Sequence, residues 1–106
     1  MKLVFMMYLE DDRAVIEKLL AASDVASYSR LPLEGHGEGI GGWYGEIAPF
    51  RSEVIFALLP EGHANRLIDT VSRCEGCQDP HHPIHAGLMD LERAVQSGLP
   101  VTPSSE

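Results

Sequence analysis

The sequence predicts a single α+β domain in the order β-α-β-β-α-β, with a four-stranded antiparallel sheet and both helices on one face. Three observations predict it. Residues 3–9 and 53–59 are apolar at odd and even positions alike, as strands buried on both faces are. Each of these runs is followed by apolar residues at helical spacing. Between the two halves lies an interval too rich in glycine for a regular element. At 106 residues, 44 % hydrophobic and 23 % charged, the chain suits one packed domain rather than a disordered segment. Residues 1–98 are expected to form that domain, and 99–106, with prolines and serines, a flexible tail.

Lys2 and the apolar residues after it superficially resemble a short signal peptide. The run stops at Glu10, Asp11 and Asp12, with no small-residue cleavage site and too few apolar positions to span a bilayer. It reads as the first strand of a cytoplasmic protein without membrane insertion. Asp11 or Asp12 is placed to cap a helix, whose N-terminal dipole favours negative charge. Val15, Ile16, Leu19 and Leu20 make its apolar stripe, Arg13, Glu17 and Lys18 its wet face, and Ser23 and Asp24 its end. A second strand is expected over 27–33, packing through Tyr28, Leu31 and Leu33.

From Glu34 to Gly45, six of twelve residues are glycine, so a loop is expected. The third strand runs over 53–59. Pro60 and Glu61 then open a second helix, with Ala64, Leu67, Ile68 and Val71 as its stripe. Residues 74–83 form a turn-rich connection, and 84 to about 95 the last strand or strands. This order is that of the ferredoxin-like split βαβ arrangement. Helices cover one face only, so Val4, Met6 and Tyr8, or their alternating neighbours, face water in a monomer. Oligomerisation through the open sheet face is the simplest remedy.

Eight Lys and Arg against sixteen Asp and Glu give a net charge of −8, with no basic run to displace counterions from nucleic acid. Two cysteines three positions apart do not make a disulfide scaffold, although a local disulfide stays open. Cys74, Cys77, His81, His82 and His85 offer thiolates and imidazoles suited to Zn²⁺ or Cu(I). The alternative is a turn with packed cysteines and solvated histidines. Catalytic thiol chemistry is disfavoured, because the pair follows a helix C-terminus and Glu75 adds negative charge.

Gly35, His36, Gly37 and Glu38 could bring backbone N–H groups to an anion, or serve only as a flexible connection. Trp43 and Tyr44 are either partner-contact aromatics or staples that fold back onto the sheet. No nucleophile–base pairing stands out, so the chain is read as a non-enzyme.

On these residues the chain resembles the PII-like signalling superfamily, the trimeric nitrogen-regulatory proteins and their divergent relatives. The likeness spans about residues 1–98. It rests on the acid-capped first helix, on Leu33-Glu34-Gly35-His36-Gly37 as the corner opening the T-loop, and on Leu59-Pro60-Glu61 entering the second helix. The resemblance implies a homotrimer binding a small effector between subunits and signalling to a transporter, a metal-efflux system or another regulatory protein. It implies an effector site that includes Gly35, His36, Gly37, Glu38 and Arg93. The turn at 74–85 lacks the family's lysine, and only Arg93 stands where the last strand carries arginines. Zinc or Cu(I) at the Cys/His loop is ranked ahead of a nucleotide or other anion at the glycine-rich corner, with AMP or ADP ahead of ATP. The competing reading is a metal buffer or chaperone with no signalling partner.

Overall fold

The computed structural model describes residues 1–36 and 49–98. Strand β1 (Lys2–Leu9) passes through a 3-10 turn at Glu10–Asp12 into helix α1 (Arg13–Ala22). Strands β2 (Ser29–Gly35) and β3 (Phe50–Leu59) follow, then helix α2 (Glu61–Ser72), a 3-10 turn at Glu75–Cys77 and strand β4 (His85–Asp90). The sheet is antiparallel throughout, in the spatial order β2-β3-β1-β4. The two strands that are apolar at both parities are thus the two central ones.

Register separates their faces. Val4 lies opposite Ala57, Met6 opposite Ile55, and Tyr8 opposite Glu53. The apolar members of this row share one buried core with Ile16, Leu19 and Leu20 of α1 and with Ala64 and Leu67 of α2. The alternate rows, Leu3 with Leu58, Phe5 with Phe56, and Met7 with Val54, form the other face. Leu31 of β2 and Met89 of β4 extend it to both edges. Much of that face is bare, with Leu58 56 % exposed, Leu31 51 %, Met89 48 % and Phe56 38 %, although Val54 within it is buried. The expectation of an uncovered apolar face holds, and it is the neighbours of Val4, Met6 and Tyr8 that form it.

Several elements differ from the sequence reading. β2 starts two residues later than expected and is an edge strand, so Tyr28 and Leu31 lie on the surface instead of packing. β3 begins at Phe50 because ladder pairing with Glu34 and Gly35 extends it beyond its apolar run. β4 ends at Asp90, opposite Lys2, where β1 has no more residues to pair; 91–98 is irregular. Val15 is 39 % exposed, outside the stripe that Ile16, Leu19 and Leu20 form. Asp12 occupies the N-cap position of α1, but its side chain makes no capping bond. Its carboxylate turns to His82 instead. Gly37, Glu38, Trp43, Tyr44 and the tail at 99–106 lie outside the described residues.

Candidate functional site

At the Leu9 end of the sheet, β2 and β3 lead into and out of the glycine-rich segment. Gly35 lies opposite Phe50, and the Phe50 ring occupies the space a side chain at Gly35 would need: a Cβ there would stand 2.0 Å from a ring carbon. The glycine at this corner is therefore required by close aromatic cover. Beside it, His36 Nε2 meets Glu34 Oε2 at 2.7 Å. An open recess of about 450 Å³ lies here, lined by Glu10, Pro32, Leu33, Glu34, Phe50 and Arg51 among others. A smaller one of about 230 Å³ adds Met7, Gly35, His36 and Ser52. Of the residues named, Gly35 and His36 are thus together at a concave surface. Arg93 is not with them: it follows β4, which ends at the opposite end and opposite edge of the sheet.

The Cys/His connection lies at the Leu9 end too, but on the β4 edge. The 3-10 turn brings the Cα atoms of Cys74 and Cys77 to 5.3 Å, and their sulfurs are bonded to each other as a disulfide. His82 Nδ1 lies 3.0 Å from Asp12 Oδ2. The backbone N–H of His81 donates to Asp79 Oδ1 at 2.9 Å, and His85 starts β4 opposite Met7. Among the described residues, no group of three or more Cys, His, Asp or Glu side chains is arranged to hold a metal ion. The five expected ligands are therefore not gathered in this form. The four-residue turn joins the two cysteines to each other, and the Asp12 carboxylate engages His82.

Sequence reasoning missed one polar cluster altogether. Glu53 is 1 % exposed on the helix-facing side of β3. Its Oε1 accepts the Tyr8 hydroxyl at 2.8 Å and Arg13 Nε at 3.1 Å, and its Oε2 accepts Arg13 Nη2. Arg30 Nε donates to the Tyr8 oxygen at 3.1 Å, and Arg30 Nη2 reaches Glu17 at 3.1 Å. The Arg13 guanidinium holds the Glu53 carboxyl below the usual carboxylate range, against the cost of burial. Burial pushes the Tyr8 phenol up to about 12. A buried carboxylate stays charged here because each oxygen is hydrogen-bonded. The signal available in the sequence is alternation: Glu53 shares the parity of Ile55, Ala57 and Leu59.

No family model matches the chain, and no curated protein matches it. Its shape matches solved structures. A Thermus thermophilus protein described as PII-like and signalling aligns at a TM-score of 0.59, 17 % identity, over 83 % of each chain. CPII, a nitrogen regulatory PII-like protein of Thiomonas intermedia K12 bound to ADP, AMP and bicarbonate, aligns at 0.58 and 16 % identity. That match covers 89 % of this chain and 94 % of CPII. Its apo form aligns at 0.55 and 12 % identity, over 88 % of this chain and 92 % of that one. The chain has the fold of the PII-like signalling proteins.

Proposed function

We propose that this protein is a cytoplasmic, non-enzymatic regulator. It assembles, as a trimer, through its open sheet face, binds an adenine mono- or diphosphate at the subunit boundary, and signals to a partner protein through segment 37–48. One observation carries the reading: an apolar sheet face left bare in a chain whose fold is also that of CPII, a protein whose structure was solved bound to ADP, AMP and bicarbonate. The placement of residues supports a boundary site. Gly35 and His36 lie at one corner of the sheet and Arg93 at the opposite one, so a ligand touching all three needs two copies. Charge supports the smaller nucleotides: Glu10 and Glu34 line the recess beside a single arginine, Arg51, and the chain carries −8 overall. No helix among the described residues is long and apolar enough to cross a membrane.

Isothermal calorimetry with AMP, ADP and ATP, with and without magnesium, tests the proposal. We expect AMP or ADP to bind at least about tenfold more tightly than ATP. An assembled protein that binds none of the three would refute the nucleotide assignment. Tight magnesium-dependent ATP binding would refute the charge argument. The metal-buffer reading requires free thiolates at Cys74 and Cys77, and nothing in the observed geometry favours it over the regulator.

A further inference from the structure

We propose that the Cys74–Cys77 disulfide is a reversible thiol switch that tightens or releases the 74–84 connection, and with it the contact by which His82 ties that connection to the start of α1. The switch goes beyond the effector reading and does not depend on it.

Local geometry makes the disulfide the fastener of this connection. Short-range hydrogen bonds surround it. Cys77 N–H donates to the Cys74 carbonyl at 3.2 Å, Gln78 Nε2 donates to the same oxygen at 2.9 Å, and His82 N–H donates to the Asp79 carbonyl at 3.0 Å. A long-range contact joins His82 Nδ1 to Asp12 Oδ2 at 3.0 Å, across seventy positions of sequence. The disulfide ring encloses only Glu75 and Gly76, and no strand pairing passes through it. Opening it therefore loosens the turn and leaves the sheet standing. Both cysteines are half-buried against the edge of the core. A small reductant can reach them, and the reduced thiols can still pack as small apolar groups.

Electrostatics set the chemistry of the switch. The cysteines follow the C-terminus of α2, and Glu75 lies between them, so the surroundings disfavour negative charge on a reduced sulfur. Such a pair is a poor catalyst of exchange and needs a dithiol co-reactant. One thiolate of that dithiol attacks a cysteine sulfur, the S–S bond breaks, and the departing cysteine takes a proton. The second thiol of the co-reactant then displaces the other cysteine. Two electrons and two protons pass to the protein, and the dithiol leaves as its own disulfide.

The test compares wild-type protein oxidised with oxidised dithiothreitol and reduced with dithiothreitol, using intact mass and hydrogen exchange. Mass should shift by two hydrogens in each direction. Exchange should rise on the order of tenfold across 74–84 and at 10–13 in the reduced form, while β1 and β3 stay protected. The Cys74→Ser/Cys77→Ser variant should match the reduced protein, and if it folds poorly the reduced wild type carries the comparison. In oxidised His82→Ala, 10–13 should exchange fast while 74–78 remains protected. Equal exchange in both redox states overturns the switch. So does loss of β1 and β3 protection on reduction, which would make the disulfide a staple of the whole fold. Failure to form the disulfide under oxidised dithiothreitol overturns it as well.

Discussion

Replacing Phe56 with glutamate should take the assembly apart while leaving each subunit folded. Phe56 sits between Ser29 of β2 and Phe5 of β1, in the middle of the bare face. It is 38 % exposed in the single chain. A phenylalanine side chain presents about 200 Å², so about 75 Å² of this one remains for a second copy to cover. At about 25 cal/mol per Å² that is about 2 kcal/mol per subunit. A carboxylate there forfeits this gain and adds the cost of an unpaired charge in an apolar interface, at least another ~2 kcal/mol. Together they weaken association about a thousandfold per subunit. Sedimentation velocity at about 10 μM should show wild-type trimer and variant monomer. Circular dichroism should show the same fold in both, with the variant subunit less stable by up to ~3 kcal/mol, the worth of the roughly 125 Å² that the single chain already covers. A monomeric wild type, or a variant that sediments with the wild type, would refute the reasoning. A variant that unfolds would show that Phe56 serves the subunit core.

Other consequences follow from the polar cluster. Glu53→Gln should lower stability by about 2–3 kcal/mol in urea at neutral pH; this is less than the ~3–5 kcal/mol of a fully buried pair, because the Arg13 side chain is 48 % exposed. Since the Glu53 carboxyl is held down in the folded chain, its contribution is present above the unfolded value of about 4.3 and lost as pH falls through the folded value. Urea midpoints between about pH 5 and pH 3 should therefore fall less steeply for Glu53→Gln than for wild type. Tyr8 behaves in the opposite sense: its phenol is raised from about 10 unfolded to about 12 folded, so stability is intact below pH 10 and declines between those values. Tyrosinate absorbance should show a phenol ionising near pH 12 that is missing from Tyr8→Phe, and Tyr8→Phe should remove part of that alkaline decline.

Much of this fold is legible because the strongest local signals are also the structural ones. Double-parity runs suit central strands, and the i, i+3, i+4, i+7 spacing in 64–71 suits a helix face; both stand where the spacing puts them. β2 is harder to read because apolar residues on an edge strand look, in sequence, like those on a buried one. Leu31 reads as a packing residue, yet it belongs to the bare face that a second copy is proposed to cover. The metal motif is hard to read for a related reason. Composition counts potential ligands, but it does not say which of them reach each other first, and the turn settles that in favour of sulfur meeting sulfur.

The cluster around Glu53 is invisible for the opposite reason: its members come from four separated elements. Tyr8 lies near the end of β1, Arg13 opens α1, Arg30 lies near the start of β2, and Glu53 near the start of β3. No spacing rule connects them, and only the register of an antiparallel sheet places Tyr8 opposite Glu53 and Arg30 within reach of both. Burying a carboxylate is costly, and an apolar residue of similar volume would stabilise the subunit at least as well. What such a residue could not supply is direction. β2 and β3 are the two strands that flank segment 37–48; the bonds from Glu53 fix β3 to β1 and α1 near the end where that segment returns, while β2 is tied through Arg30, near its other end. The cluster thereby orients the base of the segment proposed to meet the partner. Tyr8→Phe should then disturb the amide resonances of Phe50 and Arg51 more than those of Leu58 and Leu59 at the opposite end of β3. An even distribution of shifts would reduce the cluster to a contribution to stability alone.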